Sequence, residues 1–313
     1  MSYSLNELYE VVGISKQAVI QYEKRQELFD TQVSELLEEV ELLRREHPGC
    51  GVEKMYYTLK PEFLGRDRFI ELFMNLGFRV QYKKNYRRTT FSAKVYHPNL
   101  IEGMLVYKPS QVWQSDITYI EVGNRFYYAV FIIDVYTKLI VGYKVSDHLR
   151  AEANMKALEM AVREYEVPAI HHSDKGSQYI YRKYTGLLKS VGTSISMGDT
   201  ALDNAYAERI NQTIKNEYLA YWKPQSYKAL QAQVEKAVNH YNTKRPHNHL
   251  AKKAPKAFAE DVANLSMCDR PFAIIYSEGY HREVKRSNIR IDKNAIEKQT
   301  YFCPMNIKMN LNT

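Results

Sequence analysis

The sequence predicts an α/β fold: a mixed five-stranded sheet with helices, preceded by an α-helical region. Three observations predict it. The first 90 residues have helical apolar periodicity, the pattern changes to strands near residue 111, and helices then alternate with further strands. The predicted boundaries are a helical region at 1–80, a linker at 81–106, an α/β domain at 107–263 and a tail at 264–313.

The composition is that of a globular protein with a polyanionic partner. Hydrophobic residues make up 45% of the 313 residues and charged residues 26%, which excludes wholesale disorder. No apolar run reaches the roughly 18 residues that span a bilayer, and the three cysteines form no CxxC pair. We therefore expect a reducing, cytoplasmic setting with no membrane contact. A net charge of +8 favours nucleic acid as the partner.

The N-terminal residues have the pattern of a helix-turn-helix. Gly13 breaks an amphipathic stretch, Leu5–Val12, and Ser15 is placed to cap a second helix, Lys16–Arg25. The second helix of such a pair can lie in the major groove of DNA, although an ordinary helical hairpin has the same spacing. The candidate DNA contacts at its start are Ser15, Lys16 and Gln17.

Three more helices complete the predicted N-terminal region. They are Thr31–Glu46, Val52–Leu59 and Arg66–Leu76, with Gly77 after the last. The second and third repeat the helix-turn-helix rhythm. The linker that follows carries cations and tyrosines and, over 81–94, no acid, which suits a nucleic-acid backbone; a solvated tether is the alternative. Its candidate contacts are Lys83, Lys84, Arg87 and Arg88.

Strands begin with a predicted antiparallel meander. Val112–Ile120 leads through the hairpin signal Gly123-Asn124 into Phe126–Val135, and Leu139–Val145 follows a short turn. Helices then alternate with two further strands, which implies parallel additions to the sheet. These elements are Arg150–Tyr165, Ala169–Ser173, Tyr181–Val191, Thr193–Met197, Asp203–Trp222 and Ser226–Asn242. This order is that of a ribonuclease H-like α/β domain.

Three carboxylates have suitable places in this topology. Asp116 lies inside the first strand, where alternation puts it on the same face as Gln114 and Thr118. Asp174 directly follows the fourth strand, and Glu208 lies on the helix that begins at Asp203. A carboxylate buried among apolar neighbours is costly unless it is paired or coordinates a cation, and ligands collect at the carboxyl ends of strands. We expect the three acids to converge. The alternative is that each one separately caps a helix or pairs with an arginine.

Three oxygen donors around one point suit a hard divalent cation. Two Mg²⁺ ions roughly 3.5–4 Å apart could activate an attacking oxygen and stabilise the leaving oxygen of a phosphodiester. We expect two Mg²⁺ ions, with Mn²⁺ able to substitute. The adjacent His171 and His172 point to opposite strand faces and cannot share an ion, so one is expected to be packed while the other orients phosphate or Asp174.

Polar side chains near these acids are candidate DNA contacts. Gln212 and Lys215 lie one and two turns beyond Glu208. Lys175 and Gln178 belong to the loop after Asp174, where backbone amides could hold phosphate, although a simple turn is the alternative.

Four ordered motifs carry a family resemblance. They are Trp113–Tyr119, His172–Tyr179, Asp203–Ala205 with Glu208, and Tyr241–His247. Together they resemble the second-frame (OrfB) protein of IS-three-type insertion-sequence transposases, which share a DDE integrase core with retroviral integrases. The resemblance covers the chain to about residue 260. Thirty-three residues separate Asp174 from Glu208, fewer than is usual in the family, and Arg209 replaces the usual serine.

The resemblance implies an activity, a metal site and partners. Asp116, Asp174 and Glu208 are the implied Mg²⁺-binding triad, and the N-terminal helices match the family's helix-turn-helix segments. The implied reaction is cleavage and strand transfer of insertion-sequence ends, through a circular intermediate with abutted ends. The implied partners are terminal inverted repeats and target DNA, further copies of the chain on DNA, and an upstream-frame (OrfA) product.

The C-terminal residues are less informative. The helix that ends near Asn242 is followed by Lys244 and Arg245, which suit its negative end and could touch DNA, although a structural role is the main interpretation. Short strands are possible at Phe272–Tyr276 and Ser287–Ile291. Two alternative functions remain at this point: a metal-dependent nuclease without strand transfer, and a catalytically silent DNA-binding regulator.

Overall fold

The computed structural model describes residues 9, 11–80, 97–198 and 201–275, without the side chains of 201 and 202. The chain divides into two compact units, Met1–Arg79 and Val80–Thr313. In the described residues no helix is both long enough and apolar enough to cross a membrane.

The N-terminal unit is built on one long helix, α1, Lys16–Glu46. Ser15 caps it as predicted, since its hydroxyl accepts a hydrogen bond from the Ala18 amide at 3.1 Å. The prediction of two helices, Lys16–Arg25 and Thr31–Glu46, was wrong. The Thr31 hydroxyl donates back to the Glu27 carbonyl at 2.8 Å and so does not cap a new helix.

Two short helices, α2 (Val52–Leu59) and α3 (Arg66–Asn75), complete this unit close to their predicted bounds. Gly77 ends α3 with a φ of +88°, a conformation that favours glycine. The helices enclose a small apolar core of their own. Its buried members are Leu36, Val40, Leu43, Cys50, Val52, Met55, Leu64, Phe69 and Phe73.

The second unit contains the predicted mixed sheet of five strands. Its strands are β2 Val112–Val122, β3 Arg125–Asp134, β4 Ile140–Ser146, β5 Ile170–Ser173 and β6 Ser194–Met197. In spatial order they run β4-β3-β2-β5-β6; β2, β3 and β4 are antiparallel, whereas β5 and β6 lie parallel to β2. Tight turns join β2 to β3 and β3 to β4, with φ of +61° at Gly123 and +62° at Lys138. A separate pair joins β1, Leu105–Val106, to β7, Ala273–Ile274.

The register of β2 determines where the sheet opens. β2 pairs with β3 from Trp113 to Val122, but β5 pairs only with its first four residues, the last pair being Ser115 and Ser173. Asp116 is therefore the first residue of β2 beyond the end of β5. A crevice at the carboxyl end of a parallel strand is where α/β sheets bind ligands.

Helices cover both faces of the sheet. They are α4 Ala151–Glu164, α5 Arg182–Ser190, α6 Ala205–Thr213, α7 Ala220–Trp222, α8 Tyr227–Thr243 and α9 Pro255–Ala263. One core packs β3 residues such as Phe131 and Ile133 against α6 and α8, and the other packs Trp113 and Ile132 against α4 and α5.

The predicted helix Asp203–Trp222 is more irregular than expected. A 3₁₀ turn, Ala201–Asn204, precedes α6, and a π-helical segment, Ile214–Leu219, joins α6 to α7. The wider π turn allows three consecutive residues, Glu217 to Leu219, to be buried together. Of the predicted C-terminal strands, Phe272–Tyr276 contains β7, whereas Ser287–Ile291 lies outside the described residues.

Candidate active site

The site is assembled where α6 crosses β2. Strand alternation places Gln114, Asp116 and Thr118 on one face, as predicted, and each contacts α6 or its continuation. Two residues of a strand rise roughly 6.6–6.8 Å. The contacting residues of the helix are five and then four apart, a rise of about 7.5 and 6.0 Å, so strand and helix stay in register. The hydrogen bonds are Tyr206 N to Gln114 Oε1 (3.1 Å), Asn211 Nδ2 to Asp116 Oδ2 (2.8 Å) and Lys215 Nζ to Thr118 Oγ1 (3.2 Å).

Asp116 is the most strongly perturbed of the three acids. Its Oδ1 accepts from its neighbour Ile117 N at 2.9 Å, and its Oδ2 accepts from Asn211. Burial, followed by the charges of Asp174 and Glu208, raises the pKa of the Asp116 carboxyl to about 8, although these hydrogen bonds oppose the shift. The carboxyl group therefore lies in the electric field of the other two acids.

Asp174 is held by the turn that follows β5. Its Oδ1 accepts a hydrogen bond from Gly176 N at 3.0 Å, and burial raises the pKa of its carboxyl. A Cβ at Gly176 would lie 2.9 Å from Asp174 Oδ1, so a side chain at this position would displace the Asp174 carboxylate.

Glu208 lies in the first turn of α6, one residue after the buried Ala207. Burial and the charge of Asp174 raise the pKa of its carboxyl. The structure thus brings the three predicted acids from three separate elements into mutual electrostatic contact.

The three carboxylates are suitable ligands for a hard cation, although their side chains do not surround a common ion position. As the side chains stand, no three His, Cys, Asp or Glu residues in the described part of the chain could together ligate a single ion. Amide donors from Ile117, Asn211 and Gly176 hold the carboxylates instead. Asp174 and Glu208 raise the pKa of Asp116, and Asp174 raises that of Glu208, so the three carboxylates form a site of negative charge, which a divalent cation would neutralise.

Lys215 and Gln212 differ in their surroundings. Burial lowers the pKa of Lys215, while the charge of Asp116 opposes the shift, so the ammonium group stands near this acid. Gln212 is exposed on the outer side of α6. In the loop after β5, Gln178 donates to the Leu149 carbonyl at 3.2 Å, and Lys175 is half-buried.

Both histidines before Asp174 are packed in the interior. His171 Nε2 meets the Tyr184 hydroxyl at 2.9 Å, and His172 Nδ1 meets the Ser196 hydroxyl at 2.8 Å. They are 1% and 0% exposed, so neither can reach a phosphate and that part of the expectation was wrong. The other part, that one of them orients Asp174, stays a prediction.

Arg245 is also an interior residue. Its guanidinium makes two 2.8 Å hydrogen bonds to the Glu217 carboxylate and lies over the Tyr241 ring at 5.3 Å. At 5% exposure it cannot present its charge to DNA, so that part of the prediction was wrong and the structural interpretation holds. The neighbouring Lys244 is exposed.

The predicted N-terminal contacts are exposed at the start of α1, where Ser15 is occupied as the cap beside Lys16 and Gln17. The linker candidates Lys83, Lys84, Arg87 and Arg88 lie outside the described residues.

Two residues that support the site, Asn211 and Gln114, were missed by sequence reasoning. Asn211 follows Glu208 by three residues, a helical spacing that could have indicated a shared face. Gln114 was recognised only as sharing a face with Asp116; a polar side chain on a buried strand face was the signal that it must have a partner.

Fold and site together define an integrase-type α/β core with a set of carboxylates at the open end of its sheet. Two models of the integrase core domain match the chain, at residues 106–201 and 189–255. The 31 kDa protein of insertion element IS600 from Shigella sonnei is 34% identical over 65% of this chain and 78% of its own length. The transposase of IS629, also from Shigella sonnei, is 32% identical over 70% of this chain and 77% of its own length.

The chain belongs to the insertion-sequence transposases with an integrase core, and it is a DNA transposase of the DDE type. A putative transposase of IS986/IS6110 from Mycobacterium tuberculosis is 28% identical over 80% of this chain and 94% of its own length. Among solved structures, the HTLV-2 integrase catalytic core in complex with magnesium is 17% identical with a TM-score of 0.41 over 49% of this chain and 97% of that one. A simian T-cell lymphotropic virus intasome chain is 15% identical with a TM-score of 0.46 over 54% of this chain and 60% of that one.

Proposed function

We propose that this transposase performs Mg²⁺-dependent cleavage and strand transfer at the ends of an insertion sequence, with Asp116, Asp174 and Glu208 as the metal ligands. The observation that carries the proposal is that the three acids, from β2, the turn after β5, and α6, lie close enough to interact: Asp174 and Glu208 raise the pKa of Asp116, and Asp174 raises the pKa of Glu208. A pair of Mg²⁺ ions, when bound, supplies a Lewis acid for the attacking and leaving oxygens of a phosphodiester.

The chain's own residues orient these ligands and the DNA. The Asn211 amide and the Ile117 amide fix both oxygens of Asp116, and Gly176 N fixes one oxygen of Asp174. Lys215 places a positive charge beside Asp116, where a phosphate of the DNA end would meet it. Mn²⁺ is expected to replace Mg²⁺, because it also accepts carboxylate and water ligands.

Recognition of the terminal inverted repeats is proposed to depend on residues away from the three acids, beginning with the N-terminus of α1. Lys16 and Gln17 are exposed at the N-terminus of α1, where a phosphate or a base edge can reach them. The linker cations, Lys175, Gln178, Gln212 and Lys244 are proposed to contact the backbone of terminal or target DNA. Two ends must be joined, so several copies of the chain, with or without the upstream-frame product, are expected on the DNA.

A strand-transfer assay tests this function. Full-length protein is incubated with labelled terminal repeats and Mg²⁺, beside Asp174→Asn and a matched control, Asp147→Asn. The Asp147 carboxylate is half-exposed and makes loose 3.9 Å ion pairs with Arg125 and His148. Joined products that are lost in Asp174→Asn and kept in Asp147→Asn support the proposal. Cleavage without joining would favour a simple nuclease, and binding alone would favour a silent regulator.

A further inference from the structure

The N-terminus of α6 is capped by a side chain from another element. Asn204 occupies the N-cap position but makes no side-chain capping bond. Gln114 of β2 supplies it instead: its Oε1 accepts from Tyr206 N at 3.1 Å and from Ala207 N at 3.4 Å. These amides belong to the second and third residues of the helix, which a local cap would otherwise satisfy.

Two further hydrogen bonds join the same two segments, one donated from each of them. Gln114 Nε2 donates to the Asp203 carbonyl at 3.1 Å, and Asn204 Nδ2 donates to the Ser115 carbonyl at 3.0 Å. Gln114 is 0% exposed and Asn204 is 2% exposed, so water does not compete for these hydrogen bonds. A buried polar pair of this kind fixes one geometry between the two elements.

This contact, in which Gln114 binds Asp203, Tyr206 and Ala207, is called the Gln114 clamp, and it directly precedes two of the proposed metal ligands on their elements. Asp116 is two residues beyond Gln114 on β2, and Glu208 is one residue beyond Ala207 on α6. An uncapped first turn of a helix frays, and fraying would release Glu208 from its place opposite Asp116. We infer that Gln114 is a positioning residue for the transposase site, which caps α6 from β2 and so fixes the separation of Asp116 and Glu208. The inference rests on the proposed metal-binding role of these two acids.

The chain offers a matched control for this glutamine. Gln111, just before β2, also binds backbone through both ends of its amide: it donates to the Leu105 carbonyl at 2.7 Å and accepts from Tyr107 N at 3.0 Å. These two hydrogen-bond partners lie in β1 and the loop beyond it, and neither belongs to α6. Gln114→Met and Gln111→Met therefore remove similar hydrogen bonds, but only Gln114→Met removes the hydrogen bonds that join β2 to the N-terminus of α6.

The first readout is amide hydrogen exchange in the full-length protein without metal. In Gln114→Met the amides of Tyr206 and Ala207 should exchange at least about tenfold faster than in the wild type, because they lose their acceptor. Gln111→Met should leave them unchanged. Gln114→Glu keeps an acceptor oxygen and places negative charge at a helix N-terminus, so it should retain slow exchange even where the methionine variant folds poorly. Equal exchange in all four proteins would overturn the inference.

The second readout is Mn²⁺ affinity, followed by the electron paramagnetic resonance of free Mn²⁺. Gln114→Met should weaken binding by about 10- to 100-fold, the usual effect of losing a residue that orients ligands. Gln111→Met should bind as the wild type does, and Asp116→Asn should lose binding. If Asp116→Asn bound Mn²⁺ normally, the proposed function itself would fail. If Asp116→Asn lost binding while Gln114→Met kept it, only the positioning role would be wrong.

Discussion

At the scale of single residues, the buried polar side chains decide how the site is held. Asn211 and Gln114 bind opposite ends of the contact between β2 and α6, and neither carries a charge. Among charged side chains, the buried Arg245 is paired with Glu217, 28 residues away in sequence. When one partner of such a pair is removed, the free energy of unfolding falls because the other partner remains buried with an unpaired charge.

Arg245→Met is expected to destabilise the protein by about 3–5 kcal/mol, because it leaves the Glu217 carboxylate buried without its partner. The double variant with Glu217→Leu should recover most of this loss, since no buried charge remains. Lys244→Met, at the exposed neighbouring position, should change the free energy of unfolding by no more than about 0.5 kcal/mol. Denaturant unfolding measures all three. A stable Arg245→Met single variant would contradict the buried pairing.

The buried Lys138 is expected to make the free energy of unfolding rise with pH in the alkaline range. Burial lowers the pKa of its ammonium group to about 7, against the opposing charge of Asp134. In the unfolded chain a lysine titrates near about 10.4, so between about pH 7 and 10 the unfolded state binds more protons and the free energy of unfolding rises with pH. Below pH 7 both states are protonated and the contribution is constant. The wild type should therefore gain stability relative to Lys138→Met from pH 7 to 10; a flat difference in denaturant unfolding would refute this.

At the scale of elements, local signals predicted the strands well. The bounds of β2, β3 and β4 lie within two residues of those expected, because tight turns at Gly123 and Lys138 leave the chain no freedom in register. The interruption of α1 was wrong because no residue between 26 and 30 breaks a helix. The π-helical segment and the Glu217–Arg245 pair depend on contacts 28 residues apart, which no local pattern reveals.

The predicted topology was enough to locate the three acids, but it did not predict the residues that hold them in place. A strand, a strand end and a helix that share one edge of a sheet can be identified from periodicity, and this located Asp116, Asp174 and Glu208. The cap that Gln114 gives to α6 spans more than 90 residues of sequence, so it could be found only once β2 and α6 were seen side by side.

The packing of β4 on α4 depends on a glycine. A Cβ at Gly142 would lie 2.3 Å from the Ala157 carbonyl, a backbone atom that cannot turn away. Gly142→Ala should therefore destabilise the protein by about 1–3 kcal/mol. Gly186, in the interior of α5, has open space around it, and Gly186→Ala should stabilise by about 0.5–1 kcal/mol. Thermal unfolding of the two variants should thus shift in opposite directions, and a shift in the same direction would contradict this packing.

At the scale of the whole molecule, each of the two units has its own apolar core. One core joins α1, α2 and α3, and the others join the sheet to α4, α5, α6 and α8. The proposed metal ligands all belong to Val80–Thr313, whereas Lys16 and Gln17 belong to Met1–Arg79. Chemistry and end recognition are therefore expected to be separable.

A fragment spanning 80–313 tests this separation. It should fold, because its core is complete without the N-terminal unit, and its Mn²⁺ affinity should stay within about twofold of the full chain, since all three acids and the Gln114 clamp are retained. Its affinity for terminal-repeat DNA should fall to that for unrelated DNA of equal length. The fragment lacks α1 and therefore the proposed contacts to base edges, and it retains only contacts to the DNA backbone. Titrations of both DNAs at fixed salt, with the full chain as control, measure the difference. A fragment that still preferred the terminal repeats would place sequence recognition on the core instead, and Lys175, Gln212 and Lys215 would then be the first residues to test.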